Sequence, residues 1–463
     1  MDLTFFLDRE HATPLYQQLY TALKDHMHEG RLERQARLPS KRMLAAHLSV
    51  SQTTVERAYD QLEAEGYIVS KPRSGRFVDY DASNELQMSV DAVTSRTVAP
   101  SSNEAMIDFH YGSTDTVAFP HTVWRRSLLH SLDQYGQRLY QTGQPTGEPE
   151  LRELIADYVY QARQIRCSPE QIIIAAGTPI LLQWMGHLFG ATTSIGYEHP
   201  GSARSRDIFA NNHWSLLPIP LDREGITIHP LQQQCPQLVY VTPSHQFPLG
   251  TVMTINRRIQ LLQWAVDTGA YIIEDDYDSE FRYSGKPIPA LKGLDRHDRV
   301  VYTGTFSKSV LPSLRISYMI LPESLLTQGK QIASLYKQTV ASHLQLALAD
   351  FMQNGSFQKH INRMRKWYGK KRLVLLEAIQ SQWGDRVTIR STDSGLHVLL
   401  DIHSDFTEQQ LIDRAALYGV VVYPASVFYE YDSPSHTIML GFSGMSDEDI
   451  RRGVHLLGEA WNL

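Results

Sequence analysis

The sequence predicts an α/β protein fronted by a small helical domain, and three observations carry the prediction. Short helical patterns fill the first seventy residues and end in two β-prone runs, the order of elements in a winged helix-turn-helix. A polar stretch without periodicity then separates this part from the rest. From Met106 onward, short wholly apolar runs alternate with helical segments, as in a parallel sheet covered on both faces. The expected organisation is a DNA-binding winged helix-turn-helix at 1–80, a linker at 81–106, a large α/β domain at 107–330 and a small α+β domain at 331–463.

The totals agree with that division. A chain of 463 residues is longer than one hydrophobic core usually organises. A hydrophobic share of 42% with 20% charged residues is that of a soluble globular protein. The net charge of −6 excludes a generally basic coat for nucleic acid but leaves room for a local basic face. Two cysteines, Cys167 and Cys235, form neither a disulfide framework nor a zinc spacing, so no metal site is expected and a reducing cytoplasm is. The N-terminus lacks the basic and apolar regions of a signal peptide, and no run approaches the roughly 20 apolar residues of a membrane span.

In order along the chain, Thr13-Pro14 opens a helix in which Leu15, Leu19, Leu23 and Met27 recur at helical spacing, and Gly30 closes it. Ser40 and Ser51 look like N-caps of two further helices joined by a tight turn, and Gly66 ends the second. Tyr67–Ser70 and Arg76–Asp79 flank a Ser-Gly turn and read as a β-hairpin wing. Residues 1–80 hold eleven basic and eleven acidic side chains, so distribution rather than total must supply any nucleic-acid face. Arg31, Arg34, Arg37, Lys41 and Arg42 make one basic patch, and Lys71, Arg73 and Arg76 another. Phosphate contacts are expected from Arg37, Ser40, Lys41, Arg42, Arg57, Arg73 and Arg76, and base-edge contacts from Ser51, Gln52, Thr53 and Thr54 at the start of the recognition helix.

In the larger part, three apolar runs end in polar groups, and in open α/β sheets ligands gather at the carboxyl ends of the strands. Gln171–Ala176 leads to Gly177-Thr178-Pro179, a glycine turn feeding a helix N-terminus, where free amides can meet a phosphate. Leu238–Val241 leads to Thr242-Pro-Ser-His245-Gln246, and Tyr271–Glu274 to Asp275-Asp276-Tyr277. Downstream stands Thr303-Gly-Thr305-Phe-Ser307-Lys308, with Arg315 seven residues after the lysine. An amine that can condense with an aldehyde, beside hydroxyls and a guanidinium suited to a phosphate, points to pyridoxal phosphate with Lys308 as its Schiff-base residue. Asp275 or Asp276 would keep the pyridine nitrogen protonated, and Tyr277 would hydrogen-bond the ring oxygen. The alternative for the acidic cluster alone is a Mg²⁺ site or a solvated face.

Together these motifs resemble the MocR subfamily of GntR-type bacterial transcriptional regulators, and the likeness covers nearly the whole chain. Pro14-Leu-Tyr-Gln-Gln-Leu, Leu38-Pro-Ser, Thr53-Thr-Val and Leu62-Glu-Ala-Glu-Gly-Tyr look like the GntR winged helix. Thr242-Pro-Ser-His-Gln-Phe-Pro, Glu274-Asp-Asp-Tyr-Asp-Ser-Glu-Phe-Arg-Tyr and Gly304-Thr-Phe-Ser-Lys look like the aminotransferase-like half. The resemblance implies a fold-type I aminotransferase-like body, normally a homodimer. In it Lys308 carries the cofactor as an aldimine, Asp275 faces the pyridine nitrogen, Tyr277 the ring oxygen, and Thr305, Ser307, Arg315 and the Gly177-Thr178 turn the phosphate. His245 and Gln246 are expected as further cofactor contacts and Arg204 as an effector contact.

The sequence departs from the family pattern in three places. The family's Ser-Arg-Thr-Thr at the recognition helix reads Ser51-Gln-Thr-Thr, and a tyrosine common after Asp-Pro-Gly is Ser202. No arginine lies between Arg414 and Arg451, where aminotransferases carry the guanidinium that clamps a substrate carboxylate; Met439 stands on that strand. The resulting expectation is a regulator that binds double-stranded DNA at repeated or inverted half-sites and senses pyridoxal phosphate or an amine or amino-acid effector. The alternative is a working aminotransferase with a fused DNA-binding domain.

Overall fold

In a computed structural model, the described residues are 5, 7–9, 11–81, 106–283, 288–390 and 394–463. They fall into two compact units, Met1–Ser101 and Ser102–Leu463. The expected linker lies almost wholly outside the described residues.

The first unit holds helices α1 (Leu15–His28), α2 (Lys41–His47) and α3 (Gln52–Ala64) and the hairpin β1 (Ile68–Lys71) and β2 (Gly75–Val78). Leu19, Leu23 and Met27 of α1, Leu44 of α2, Val55, Ala58, Tyr59 and Leu62 of α3, and Ile68 and Val78 of the hairpin bury one another. The Ser40 hydroxyl accepts from the Met43 amide at 3.3 Å and that of Ser51 from the Thr54 amide at 3.1 Å, so each caps its helix, a contribution of about 1 kcal/mol. The first helix begins one residue later than expected: Pro14 occupies its N-cap with extended backbone, and the Thr13 hydroxyl does not cap. Proline's fixed φ suits either position, so the sequence signal fits both. The wing pairs Ile68 with Val78 and Lys71 with Gly75, antiparallel.

The second unit begins with β3 (Ile107–Asp108), α4 (His121–Tyr135), α5 (Pro149–Arg163), β4 (Ile172–Ala175), α6 (Thr178–Phe189), β5 (Ser194–His199), α7 (Ala203–Asn211), β6 (Ser215–Asp222) and β7 (Gly225–Ile226). It continues through α8 (Ile228–Gln234), β8 (Leu238–Val241), α9 (Ile255–Thr268), β9 (Tyr271–Asp276), α10 (Leu291–Leu294), β10 (Val300–Thr305) and β11 (Ser317–Ile320). Eight strands form one sheet in the order β4-β11-β10-β9-β8-β5-β6-β7. Strands β10, β9, β8, β5 and β6 are mutually parallel, while β11 runs antiparallel to both its neighbours. Both sheet faces are covered, which explains strands that are apolar throughout rather than alternating.

Then come α11 (Leu326–Tyr336), α12 (Ser342–Gln353), α13 (Ser356–Trp383), β12 (Val387–Arg390), β13 (His397–Ile402), α14 (Glu408–Leu417), β14 (Val420–Val421), β15 (Tyr423–Pro424), β16 (Thr437–Gly441) and α15 (Asp447–Trp461). Strands β12, β13, β16 and β15 form a small sheet covered by α13 and α15. The expected domain limits shift at both ends. Helix α12 packs in the large-domain core, and the change of core falls within α13, between Ile361 and Met364. Strand β3 pairs with β14, and Ile107 and Phe109 enter the small-domain core. A helical stripe declares that a face is buried without saying against which core, so neither crossing is visible in the sequence.

Candidate functional site

The carboxyl ends of β4, β8, β9 and β10 converge on a cavity of about 450 Å³. Asp275, Tyr277, Thr178, Thr305, Ser307, Lys308, Arg315 and Arg204 line it, so the sheet brings together most of the residues named from sequence. The choice left open between the two aspartates is decided by register. Side chains alternate along β9, and Asp275 faces the cavity while Asp276 turns to the buried Arg163, 2.7 Å away, and to the Tyr302 hydroxyl at 2.6 Å. Asp275 accepts from the Tyr240 hydroxyl at 2.5 Å and the Thr303 hydroxyl at 3.1 Å. Burial pushes its carboxyl up to about 6 against the pull of those two donors.

Lys308 leaves the end of β10 in a turn, and its Nζ donates to the carbonyls of Tyr111 at 3.3 Å and Gly112 at 2.9 Å. Burial lowers its amine to about 8; Asp278 opposes the shift and the Arg204 guanidinium adds to it. Two hydrogens of the amine go to the Tyr111 and Gly112 carbonyls.

At one end of the cavity lie Arg315, Thr178, Thr305, Ser307 and Ser317. The Ser307 hydroxyl is buried without a partner, while Thr305 accepts from the Ser307 amide at 3.2 Å and from the Ser317 hydroxyl at 2.8 Å. Gly177 caps α6 at φ +98°, and a Cβ there would fall 2.2 Å from Arg315 Nη2. The glycine therefore makes room for the guanidinium beside the helix N-terminus, an anion-binding arrangement. An orphaned hydroxyl, a guanidinium in a cradle closed to Cβ, a lysine whose amine burial lowers to about 8 and a buried carboxylate together fit pyridoxal phosphate.

His245 and Gln246 do not line the cavity. His245 is 2% exposed and stands behind Tyr277: its Nδ1 lies 2.9 Å from the Tyr277 hydroxyl and 2.9–3.0 Å from both Asp278 oxygens. Gln246, expected at the cofactor, is instead turned inward. Its amide donates to the carbonyls of Pro200 at 2.9 Å and Phe247 at 2.6 Å, and its oxygen accepts from the Leu249 amide at 3.0 Å. These bonds hold the loop after β8 in place of the backbone pairs that the strand would have supplied.

The sequence reading missed several contributors. Tyr240 lies inside an apolar run, and only its register, one strand from Asp275, would have exposed it. Phe247, Leu396, His397, Val427 and Phe428 form a further part of the cavity wall, and Met439 shares a small apolar cluster with Phe428. No arginine stands on that part among the described residues.

In the first unit, Gln52, Thr53, Arg57, Arg37, Arg42, Lys41 and Arg73 are exposed at the α2–α3 face and the wing. Not all are equally free. Lys41 pairs with Glu56 at 2.6 Å, and Arg76, half-buried, pairs with Asp60 at 2.8 Å and Glu63 at 3.4 Å. Ser40, Ser51 and Thr54 take part in the two caps.

Comparison with known proteins follows the same two parts. Residues 15–78 match the model of the gntR family of bacterial regulatory proteins, and residues 103–457 that of aminotransferase class I and II. The HTH-type transcriptional regulator YdeL of Bacillus subtilis is 56% identical over 463 residues, covering 100% of each chain. The probable rhizopine catabolism regulatory protein MocR of Rhizobium meliloti is 34% identical, covering 98% of this chain and 95% of that one. Among solved structures, the kynurenine aminotransferase of Pyrococcus horikoshii superposes with a TM-score of 0.71 at 26% identity, over 78% of this chain and 91% of that one.

Proposed function

Because the chain belongs to the MocR subfamily of GntR-type transcriptional regulators, with pyridoxal phosphate as the cofactor of its aminotransferase-like half, we propose that Lys308 is the covalent anchor through which this regulator senses either the cofactor itself or an amine. The single observation carrying this is the Lys308 amine, lowered to about 8 by burial, within a cavity that also presents Asp275, Ser307 and Arg315. When bound, pyridoxal phosphate supplies an aldehyde for amines and an electron-withdrawing ring. The chain's own part is to orient and to hold charge. Arg315, Thr178, Thr305 and Ser307 bind the phosphate; Asp275 holds a proton at the ring nitrogen; Tyr277 meets the ring oxygen; Arg204 offers a cation to an anionic effector.

The winged unit binds double-stranded DNA, with Gln52 and Thr53 at base edges and Arg37, Arg42, Arg57 and Arg73 at phosphates. A homodimer in the cytoplasm would place two such units on repeated or inverted half-sites. Regulation follows from linkage: a ligand that prefers the DNA-competent arrangement raises DNA affinity, and DNA raises ligand affinity by the same factor. The test is DNA affinity for the upstream region of its own gene at one fixed salt concentration, with and without pyridoxal phosphate. A cofactor-dependent change makes the cofactor the signal; equal binding moves the search to amines. Loss of the borohydride-reduced adduct in Lys308→Ala checks the anchor, and a wild-type protein forming no adduct sinks the reading.

A second reading, transamination, is favoured by the same lowered amine, since a neutral lysine can move a proton at a substrate carbon. Met439 on β16, in place of an arginine, weighs against an α-amino-acid substrate clamped from the small domain, because a thioether cannot match a carboxylate bidentately.

A further inference from the structure

His245, Asp278 and Tyr277 form a buried group that the cofactor contacts above leave unexplained. The imidazole Nδ1 is within hydrogen-bond distance of three oxygens at once: two of Asp278 and one of Tyr277. One nitrogen either carries a proton or offers a lone pair. Facing a carboxylate, a lone pair would be repelled and left unsatisfied, so Nδ1 carries the proton and gives it to Asp278. The Tyr277 hydroxyl then has no acceptor at His245, and its own proton is free to point elsewhere. Tyr277 lines the cavity and the imidazole does not.

We propose that the His245–Asp278 pair is a positioning device that turns the Tyr277 hydroxyl proton towards the cavity, where it meets the cofactor's ring oxygen. The proposal rests on the cofactor reading above. The remaining groups around the imidazole agree with this placement. His397 has its ring centroid 5.6 Å from that of His245, and its own Nε2 donates to the Pro248 carbonyl at 3.1 Å. The Nε2 of His245 is buried with no partner, a site that tolerates a bare lone pair better than an unsatisfied N–H. The ring is also clamped: a Cβ on Gly395, at φ +78°, would fall 1.9 Å from His245 Cε1. Lys308, which with Asp278 acts on His397, is the other charged group nearby.

The test reads the pH midpoint of the visible absorption band of full-length protein loaded with pyridoxal phosphate. A hydrogen bond donated to the ring oxygen favours its anionic form and so lowers that midpoint. In Asp278→Asn the imidazole is free to offer Nδ1 to Tyr277, the donor turns away from the ring, and the midpoint rises by about one pH unit. Loss of the Asp278 charge by itself would move it down, because a nearby anion favours the protonated link. A rise supports the device; no change or a fall overturns it. Tyr277→Phe should give the same rise, and the double variant no more than Tyr277→Phe alone; additive shifts overturn the coupling. Should these variants fail to fold, nitrogen-15 NMR of histidine-labelled wild-type protein decides, with the His245 signal assigned by its loss in His245→Asn. A protonated Nδ1 is expected, and a bare Nδ1 overturns the proposal. A wild-type protein that shows no visible band refutes the cofactor reading instead.

Discussion

The lowered amine of Lys308 makes a kinetic prediction that pH alone can test. Only the neutral amine attacks an aldehyde. An ordinary lysine, at about 10.4, is neutral in roughly one molecule per thousand at about pH 7.5. With its amine at about 8, Lys308 is neutral in about a quarter of molecules at that pH, a gain on the order of 200-fold. The second-order rate of pyridoxal phosphate capture, followed by stopped-flow absorbance on apo-protein, should rise about tenfold per unit below pH 7 and level off above about pH 8. Arg204→Ala removes a cation that holds the amine down, so the break should move to higher pH. Asp278→Asn removes the opposing anion and should move it lower. A rate that keeps climbing past pH 9.5 would refute the argument, because burial would then not have lowered this amine.

The site makes three further predictions. Gly177→Ala should leave the fold intact but weaken cofactor binding at least tenfold by equilibrium dialysis, since its Cβ would collide with the Arg315 guanidinium and its φ of +98° strains any other residue. Asp276→Asn should destabilise the protein by about 3–5 kcal/mol in urea unfolding, because it leaves Arg163 buried without its counter-charge; Asp275→Asn should leave the fold intact and change the cofactor spectrum instead. Gln52→Ala should flatten discrimination at one base pair of each half-site, a loss of about 1–3 kcal/mol in a competition binding series, and leave affinity for random DNA almost unchanged.

Much of this architecture was legible because period and punctuation agree. The caps at Ser40 and Ser51 and the stripe of Val55, Ala58, Tyr59 and Leu62 repeat the same local message, while the wing turns at 72–74, just ahead of Gly75, rather than at the Ser-Gly pair itself. The lysine loop and the acidic strand end were legible for a different reason: their chemistry is unusual next to apolar runs. What stayed hidden depends on which face or which core an element meets. Gln246 sits one residue from His245 in sequence, yet its carboxamide is spent on the loop's own carbonyls. Tyr240 hides within Leu238-Val-Tyr-Val, where only its alignment with Ile273 places it on the Asp275 side. Asp275 and Asp276 are chemically alike, and the pleat alone sends one to the cavity and the other to Arg163.

The bonds from Lys308 to the Tyr111 and Gly112 carbonyls reach beyond the cavity. Those two residues lie three and four positions after β3, which is pinned to β14 of the small domain. Were Nζ bonded to the cofactor, it would no longer have two hydrogens to give, and at least one of these carbonyls would need another donor. The rearrangement falls on a strap that β3 sews into the small domain. A single covalent event at that nitrogen would thus loosen a knot that ties the large domain's lysine to a thread of the small domain.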